Sequence, residues 1–219
     1  AIMAGDKPAP IAPASLSGLR LGIWQGVPFD GADSTVAASW SAAVARLTKA
    51  GVKLSDETIA FVDEMVQLNA KGGFAPTESF AIHRERLKRD GAGIDTLIRA
   101  RIERGGTIPA YDYIDMTTGR RRLVQAMDAR LDGLDALVLP TVPIVAPKAA
   151  DVAAADEFGR KNAMLLRNTS MINFFDLCAI SLPLPRDGGL ATGLMLVGRN
   201  GSDAKLFSIA AAVEKLFAG

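Results

Sequence analysis

The chain has 219 residues, of which 49% are apolar and 22% are charged, a balance that is ordinary for a globular protein. With 25 basic and 24 acidic residues the net charge is +1, which gives no electrostatic support for binding nucleic acid or an anionic membrane. The one cysteine, Cys178, excludes an internal disulfide and fits a reducing, cytoplasmic compartment. The one histidine, His83, excludes a metal site that needs two histidines, and no apolar run approaches the roughly 20 residues of a membrane span.

Residues 1–18 are predicted to be a connector. The first five letters, AIMAG, resemble the end of a helix, and the proline-rich stretch that follows lacks the charged start and apolar core of a secretory signal. We therefore expect the chain to begin inside a larger fold.

Residues 19–56 are predicted to form a strand–helix–strand unit. LRLGIW alternates in the manner of a strand, and an apolar stripe indicates a helix over residues 35–50. Ser34 is predicted to cap this helix and Gly51 to end it. A second short strand is expected at residues 52–54, which makes this an α/β unit.

Residues 57–132 are predicted to be a helical lobe over a cleft. Three glycine-containing breaks divide the lobe, at residues 71–73, 90–91 and 104–106. Thr77 is the predicted cap of one helix, on which Phe80, His83 and Leu87 share a face.

Residues 133–219 are predicted to form a sheet and a C-terminal helix. The segments are a strand at 136–140, a helix at 157–172, strands at 178–183 and 193–198, and a helix from Asp203. The turn PRDGG between the last two strands predicts a β-hairpin. The whole pattern predicts an α/β fold in which a mixed β-sheet is covered by helices.

The residues by themselves do not supply a catalytic set. Nucleophile-elbow, phosphate-loop, dinucleotide-binding and zinc motifs do not occur in the sequence. Cys178 with His83 is a conceivable thiol catalyst, but a cysteine in an apolar strand is better explained as a packed side chain. Ser181 has no flanking glycines to expose it and is better explained as a polar residue packed in a strand. The basic run at residues 120–122 is better explained as a solvated helix face.

Three segments of the last third occur in an order that resembles one enzyme family. They are DALVLPTVPIVAP, RNTSMINFFDLCAISLPLP and GLATGLMLVGRNGSDAKLFSIAAAVE. Together with LSGLRLGIW near the start and HRERLKRDGAGIDTLIRARIERG in the middle, they resemble the C-terminal portion of amidase-signature enzymes. The resemblance implies part of that family's α/β/α fold.

The resemblance also implies a wall of the substrate cleft. The residues predicted to line it come from two segments and are Thr141, Val142, Pro143, Asn173, Phe174 and Phe175. Proline stiffens such a wall without needing ladder donors, and aromatic rings supply apolar contact. The chain departs from the family pattern at Asp176, Cys178 and Ala191, where glycine, proline and proline are usual. Leu166 stands where glutamine-using members carry an acidic residue, which favours a less polar amide or ester as substrate.

The family's catalytic serine–serine–lysine set belongs to a glycine- and serine-rich segment that this sequence does not contain. The resemblance therefore implies no catalytic residue, no metal and no cofactor in this chain. We expect it to be the C-terminal part of an amidase that hydrolyses a carboxylic amide by acyl transfer to serine. Its expected partner is a missing N-terminal half or a second copy, and nucleic acid and membrane are not expected. The alternatives are a non-catalytic partner-binding or self-associating protein derived from an amidase, and a thiol enzyme built on Cys178.

Overall fold

The structure is a computed structural model that describes residues 10–186 and 188–218 together with Gly5 and Lys7. The helix end predicted at residues 1–5 lies outside this part of the chain except for Gly5, and so does Asp187 of the predicted turn. The chain divides into two compact units. One contains the described residues up to 58 and from 130 onwards, and the other contains residues 59–129.

The elements follow one another in an order that alternates strands and helices at both ends of the chain. The strands are β1 (Arg20–Trp24), β2 (Lys53–Glu57), β3 (Ala136–Pro140), β4 (Cys178–Pro183) and β5 (Gly193–Gly198). The α-helices are α1 (Ser34–Lys49), α2 (Val62–Ala70), α3 (Phe74–Asp90), α4 (Thr96–Gly105), α5 (Ala110–Arg130), α6 (Ala155–Phe174) and α7 (Asp203–Ala218). Short 3-10 helices lie at Val27–Phe29, Gly91–Gly93 and Ala149–Val152.

The five strands form one mixed sheet in the order β2-β1-β3-β5-β4. β1 pairs in parallel with β2 and β3, whereas β5 is antiparallel to both β3 and β4. Because β4 and β3 both oppose β5, they run in the same direction, and the carboxyl ends of β1, β2, β3 and β4 lie at one edge. The predicted α/β class, mixed sheet and hairpin are confirmed, and β2 continues to Glu57, beyond the predicted residues 52–54.

One face of the sheet carries the main hydrophobic core. Alternate residues of the strands, among them Leu21, Val138 and Leu196, pack in one cluster with Leu47 of α1 and Val213 of α7. Because the side chains of a strand alternate between the two faces of the sheet, every second residue of each strand packs against the helices on this face. The predicted apolar stripe of α7 is buried throughout and is confirmed.

The opposite face of the sheet is in contact with the end of α6. Trp24 follows Ile23 on β1, so its side chain lies on the opposite face from that of Ile23. Its ring centroid is 6.1 Å from that of Phe175, which directly follows α6. Both side chains are almost fully buried. The contact fixes the end of α6 against the carboxyl end of β1.

The unit of residues 59–129 is helical. Its helices are separated at the three glycine-containing breaks. Lys71, just after α2, forms ion pairs with Asp112 and Asp115 of α5, at 3.1 and 2.6 Å. Gly119 allows α5 to approach α2, because a Cβ there would lie 2.5 Å from Cδ1 of Leu68.

Two predicted helix caps are wrong. The N-cap of α1 is Asp33, whose carboxylate accepts a hydrogen bond from the Val36 N–H at 2.8 Å, so Ser34 is already the first helical residue. Thr77 lies inside α3, which begins at Phe74. Pro76 does not prevent this start, because the N–H groups of the first helical turn have no partner within the helix and the missing N–H of proline costs nothing there.

Candidate functional site

The loop after β3 contains three of the predicted site residues. The Thr141 N–H donates to the Gly193 carbonyl at 2.9 Å, which extends the pairing with β5 by one residue. Thr141 and Val142 are half-buried and Pro143 is buried. The loop leaves the sheet at the carboxyl edge, where open α/β sheets bind their ligands.

Two hydroxyl groups meet on the sheet face opposite the main core. Oγ1 of Thr141 and Oγ of Ser181 are 2.6 Å apart, a hydrogen bond in which either oxygen can donate. Gly193 lies beside the pair on β5, where a Cβ would come within 2.7 Å of one oxygen and 2.8 Å of the other. The absence of a side chain at this position therefore makes room for the pair.

Asn168 of α6 holds the carboxyl edge from one side. Its side chain is fully buried, and Nδ2 donates to the carbonyl of Pro140 at 2.8 Å and to that of Pro28 at 3.1 Å. The amide thus ties the segments that follow β3 and β1 to one helix. Asn168 is not among the residues predicted from the sequence, although an amide at helical spacing before the buried Met171 and Ile172 is a detectable signal.

Asp33 holds the same loop from the other side. Its N–H donates to the Pro143 carbonyl at 3.0 Å, and Oδ2 accepts from the Val145 N–H at 2.7 Å. The second oxygen caps α1 by accepting from Val36. Because buried backbone groups of the loop have fixed partners on both sides, the loop is held in one conformation. This role of Asp33 is not predicted from the sequence either.

The second predicted group lies where α6 ends and the chain turns into β4. Asn173 is exposed, whereas Phe174 and Phe175 are 5% and 1% exposed and their ring centroids are 5.3 Å apart. This group precedes β4, while Thr141, Val142 and Pro143 follow β3. That the six residues line one cleft and contact a substrate stays a prediction.

The turn into β4 keeps the backbone of the family pattern with a different residue. Asp176 has a φ of 58°, in the left-handed region that glycine adopts without cost. Aspartate is among the few other residues that tolerate it, and Nδ2 of Asn200 donates to its carboxylate at 2.9 Å. Aspartate at position 176, where glycine is usual, is therefore compatible with the left-handed backbone found here.

A cavity of about 410 Å³ lies beside the first turn of α1. The polar side chains that line it are Ser34, Thr35, Ser39 and Arg186. It is bounded by the β4–β5 connection and lies next to Asp33, so it belongs to the same edge of the sheet. It is a shallow depression that is open to the surface and not an enclosed pocket.

The thiol of Cys178 has neutral neighbours. It donates to the Arg199 carbonyl at 3.1 Å and lies 3.3 Å from the Ser202 hydroxyl. Neither partner is a base that activates a thiol.

Within the described part of the chain, no three histidine, cysteine, aspartate or glutamate residues group as metal ligands, and no helix is long and apolar enough to cross a membrane.

The sheet, the carboxyl-edge loop and the sequence pattern together define an amidase-type α/β chain. Residues 6–207 match the Amidase family, and the chain belongs to this family. The resemblance inferred from the motifs is thereby confirmed.

Individual relatives match most of this chain with less than half of their own length. A 2-amino-5-chloromuconic acid deaminase from Comamonas testosteroni is 29% identical over 210 residues, covering 95% of this chain and 45% of the relative. An amidase from Pseudomonas putida is 26% identical over 185 residues, covering 81% and 39%. The solved allophanate hydrolase of Kluyveromyces lactis has a TM-score of 0.81 at 25% identity, covering 95% of this chain and 33% of that chain.

Proposed function

We propose that this chain forms the substrate-cleft wall of an amidase that hydrolyses a carboxylic amide, with the nucleophilic serine supplied by residues outside these 219. The proposed wall consists of the six residues predicted from the sequence, namely Thr141, Val142, Pro143, Asn173, Phe174 and Phe175. Membership of the Amidase family supports the reaction class. The deaminase and the amidase among the relatives support cleavage of a carbon–nitrogen bond.

The observation that carries the proposal is the double anchoring of the loop after β3. Asn168 holds the carbonyl of Pro140, and Asp33 holds both a carbonyl and an N–H of the loop. A wall fixed before substrate arrives loses little conformational entropy on binding, which leaves more binding energy for the transition state.

The proposed reaction proceeds through an acyl-serine. The serine oxygen adds to the amide carbonyl carbon, and the carbon–nitrogen bond breaks as the nitrogen takes up a proton. Water then hydrolyses the ester and releases the carboxylic acid. In this scheme Thr141 and Ser181 orient the bound amide through their hydroxyl groups and take no part in bond making.

The proposed partner of this chain is the N-terminal half of such an amidase. Among the described residues β4 pairs only with β5, so the other edge of β4 has free backbone groups for a further strand. Ala179, Ser181 and Pro183 of β4 are exposed on the face that carries the hydroxyl pair. A second copy of the chain is the alternative occupant, and the single cysteine supports a cytoplasmic location.

The test is an amide-hydrolysis assay of the chain alone and of the chain co-expressed with the N-terminal half of the Pseudomonas putida amidase. Small aliphatic and aryl amides are offered and ammonia or amine release is measured. We expect turnover only in the complemented sample. Turnover by the chain alone would overturn the proposal that the nucleophile lies outside these residues. No turnover by the complemented, co-purifying pair would overturn the proposal that this chain forms the cleft wall of an amidase.

A variant pair separates the wall from general effects on folding. Thr141→Val removes the hydroxyl that meets Ser181 and is expected to lower kcat/KM of the complemented enzyme about tenfold. Thr48→Val is the matched control, because Thr48 is exposed on α1 and bonds only to its own helix, at Val44. Equal activities of the two variants would contradict a role for Thr141.

A further inference from the structure

Arg167 of α6 is a half-buried arginine without an acidic partner. Within the described part of the chain no carboxylate oxygen comes within 4.0 Å of its guanidinium. Its three polar contacts are all long and to neutral atoms, namely the Pro28 carbonyl at 3.3 Å, Asn168 Oδ1 at 3.5 Å and the sulfur of Met164 at 3.8 Å. A guanidinium has five N–H donors in a rigid fork, and these three contacts satisfy only part of them with protein atoms.

Some arginines of the same unit have acidic partners: Arg130 contacts Glu57, Arg160 contacts Glu157 and Arg199 contacts Asp132. Among the described residues Arg46 and Arg186, like Arg167, have no carboxylate within 4.0 Å. Arg46, however, donates to the Leu216 carbonyl and lies over the ring of Phe217, and Arg186 is exposed. Arg167 differs from these two in its place beside the segments that follow β1 and β3.

The surroundings of Arg167 favour the arrival of an anion. Burial lowers the pKa of its guanidinium below the ordinary value, and the charge of Asp30, beyond ion-pair distance, offsets this only in part. An arginine stays protonated at physiological pH, so the enclosed charge is retained without a direct counter-ion. An enclosed and unpaired charge raises the free energy of the folded state, and a carboxylate placed against the fork removes that penalty.

The position of Arg167 places this charge at the proposed wall. Its guanidinium shares the Pro28 carbonyl with Asn168, and Asn168 also holds the carbonyl of Pro140, the residue before Thr141. α6 contacts the same sheet face on which Thr141 and Ser181 meet. Arg167 is thus connected through Asn168 to the loop after β3, along which the substrate is proposed to lie.

We propose that Arg167 binds a carboxylate carried by the amide substrate, so that the substrate class is the half-amide of a dicarboxylic acid. The inference rests on the proposed amidase function and adds to it the charge of the substrate, in place of the less polar substrate expected from Leu166. The two N–H edges of the guanidinium match the two oxygens of a carboxylate, which lysine does not reproduce.

The test is a binding measurement on the full chain, by titration calorimetry and NMR, with two probes that differ in charge. Succinamate carries an amide and a carboxylate, and butyramide has the amide and the chain length without the charge. We expect succinamate to bind about 10- to 100-fold more tightly, which is the range of one charge-assisted hydrogen-bond pair. Arg167→Met is expected to abolish this preference and Arg167→Lys to retain part of it.

Arg160→Met is the matched control, since Arg160 lies on the same helix, is exposed and is expected to leave the preference unchanged. The ratio of the two affinities within each variant is independent of how much protein is folded. Asp30→Asn removes the offsetting charge and is expected to strengthen succinamate binding. Equal affinities in the unchanged chain, no saturable binding of succinamate, or a preference that survives Arg167→Met would overturn the inference.

The outcome is separable from that of the proposed function. Hydrolysis of both amides at equal rates by the complemented enzyme would leave the amidase proposal standing and remove the role of Arg167. Binding of succinamate that depends on Arg167, without any hydrolysis after complementation, would leave the role of Arg167 standing and overturn the amidase proposal.

Discussion

Glu57, the last residue of β2, is a carboxylate that is only 8% exposed. One oxygen accepts from the Ser55 hydroxyl at 2.5 Å, the other pairs with Arg130, and the side chain lies over Gly22, which leaves it room. Burial opposes ionisation of Glu57, but the hydrogen bonds from Ser55 and Arg130 and the charge of Arg130 outweigh it, so the pKa lies below its ordinary value. The ionised form is therefore favoured by folding.

This shift makes part of the stability of the fold dependent on pH. Because the pKa of Glu57 is lowered in the folded state, its contribution is present above the ordinary glutamate pKa of 4.5 and is lost as pH falls through the folded-state pKa. Glu57→Gln is expected to lower the free energy of unfolding by about 1–3 kcal/mol at pH 7 and by much less at pH 3. Urea unfolding at the two pH values measures this.

Asp56→Asn is the control for that experiment. Asp56 is the neighbouring carboxylate on β2 and is exposed, with one hydrogen bond from Gln25. Its replacement is expected to change the stability by less than about 1 kcal/mol. A Glu57→Gln effect that is equally large at both pH values would contradict a role for the ionised carboxylate.

Local sequence left the helix caps ambiguous at the residue scale. Asp33 and Ser34 are adjacent and have nearly equal propensity for an N-cap, so sequence alone does not choose between them. The structure selects Asp33, because its second oxygen also accepts from Val145, 112 residues away. A contact so distant in sequence leaves no mark in the local pattern.

Among the elements, α6 links the most distant parts of the carboxyl edge. Its buried residues Asn168, Met171 and Ile172 follow helical spacing, and Asn168 is the polar member. Its amide contacts two carbonyls that belong to different loops. The helix therefore positions the loop after β3 as well as covering the sheet.

Asn168→Asp is the isosteric test of this link. The change removes the Nδ2 donor and turns a carboxylate toward the carbonyls of Pro28 and Pro140. We expect it to lower the free energy of unfolding by about 2–4 kcal/mol at pH 7, from two lost hydrogen bonds and a buried charge. Thermal and urea unfolding measure the loss. Asn162→Asp, in the same helix but only half-buried, is the control, and equal losses for both would argue against the link.

Elements with a clear hydrophobic period were predictable, and those at the edge of the sheet were less so. The stripe of α7 and the apolar runs of β3 and β5 follow from spacing alone. β2 is an edge strand in which Lys53, Ser55 and Asp56 are exposed, so its polar sequence KLSDE hides its true length. An edge strand buries fewer side chains than a central strand, so its sequence contains fewer apolar residues from which a strand can be predicted.

At the scale of the molecule, the sheet is organised around β1, β3 and β5, the interior strands, whose residues are buried on both faces. Leu196 of β5 is fully buried and packs in the cluster shared by the sheet, α1 and α7. The antiparallel β5 is inserted between β3 and β4, which leaves β4 parallel to β3 at the end of the described sheet. Stability of this unit is expected to depend most on the residues of these central strands.

Leu196→Ala tests that expectation. We expect it to lower the free energy of unfolding of the sheet unit by about 2–5 kcal/mol, because it leaves a cavity between sheet and helices. Hydrogen exchange of β3 and β5 amides is expected to accelerate accordingly. Leu190→Ala, an exposed leucine in the β4–β5 connection, is expected to change stability by less than about 0.5 kcal/mol. Comparable losses would contradict the placement of the core.

The sequence by itself determined the fold class, most element positions and the family, because hydrophobic period and turn residues are local signals and the family motifs are contiguous. It also singled out Thr141 as a candidate site residue, and it treated Ser181 only as a polar residue packed in a strand. The tertiary structure alone decided that these two hydroxyls meet over Gly193, that Asn168 and Asp33 hold one loop, and that Arg167 is enclosed without an acid. Each of these is a contact between residues far apart in the chain, and such contacts are created by packing and register, which no local pattern records.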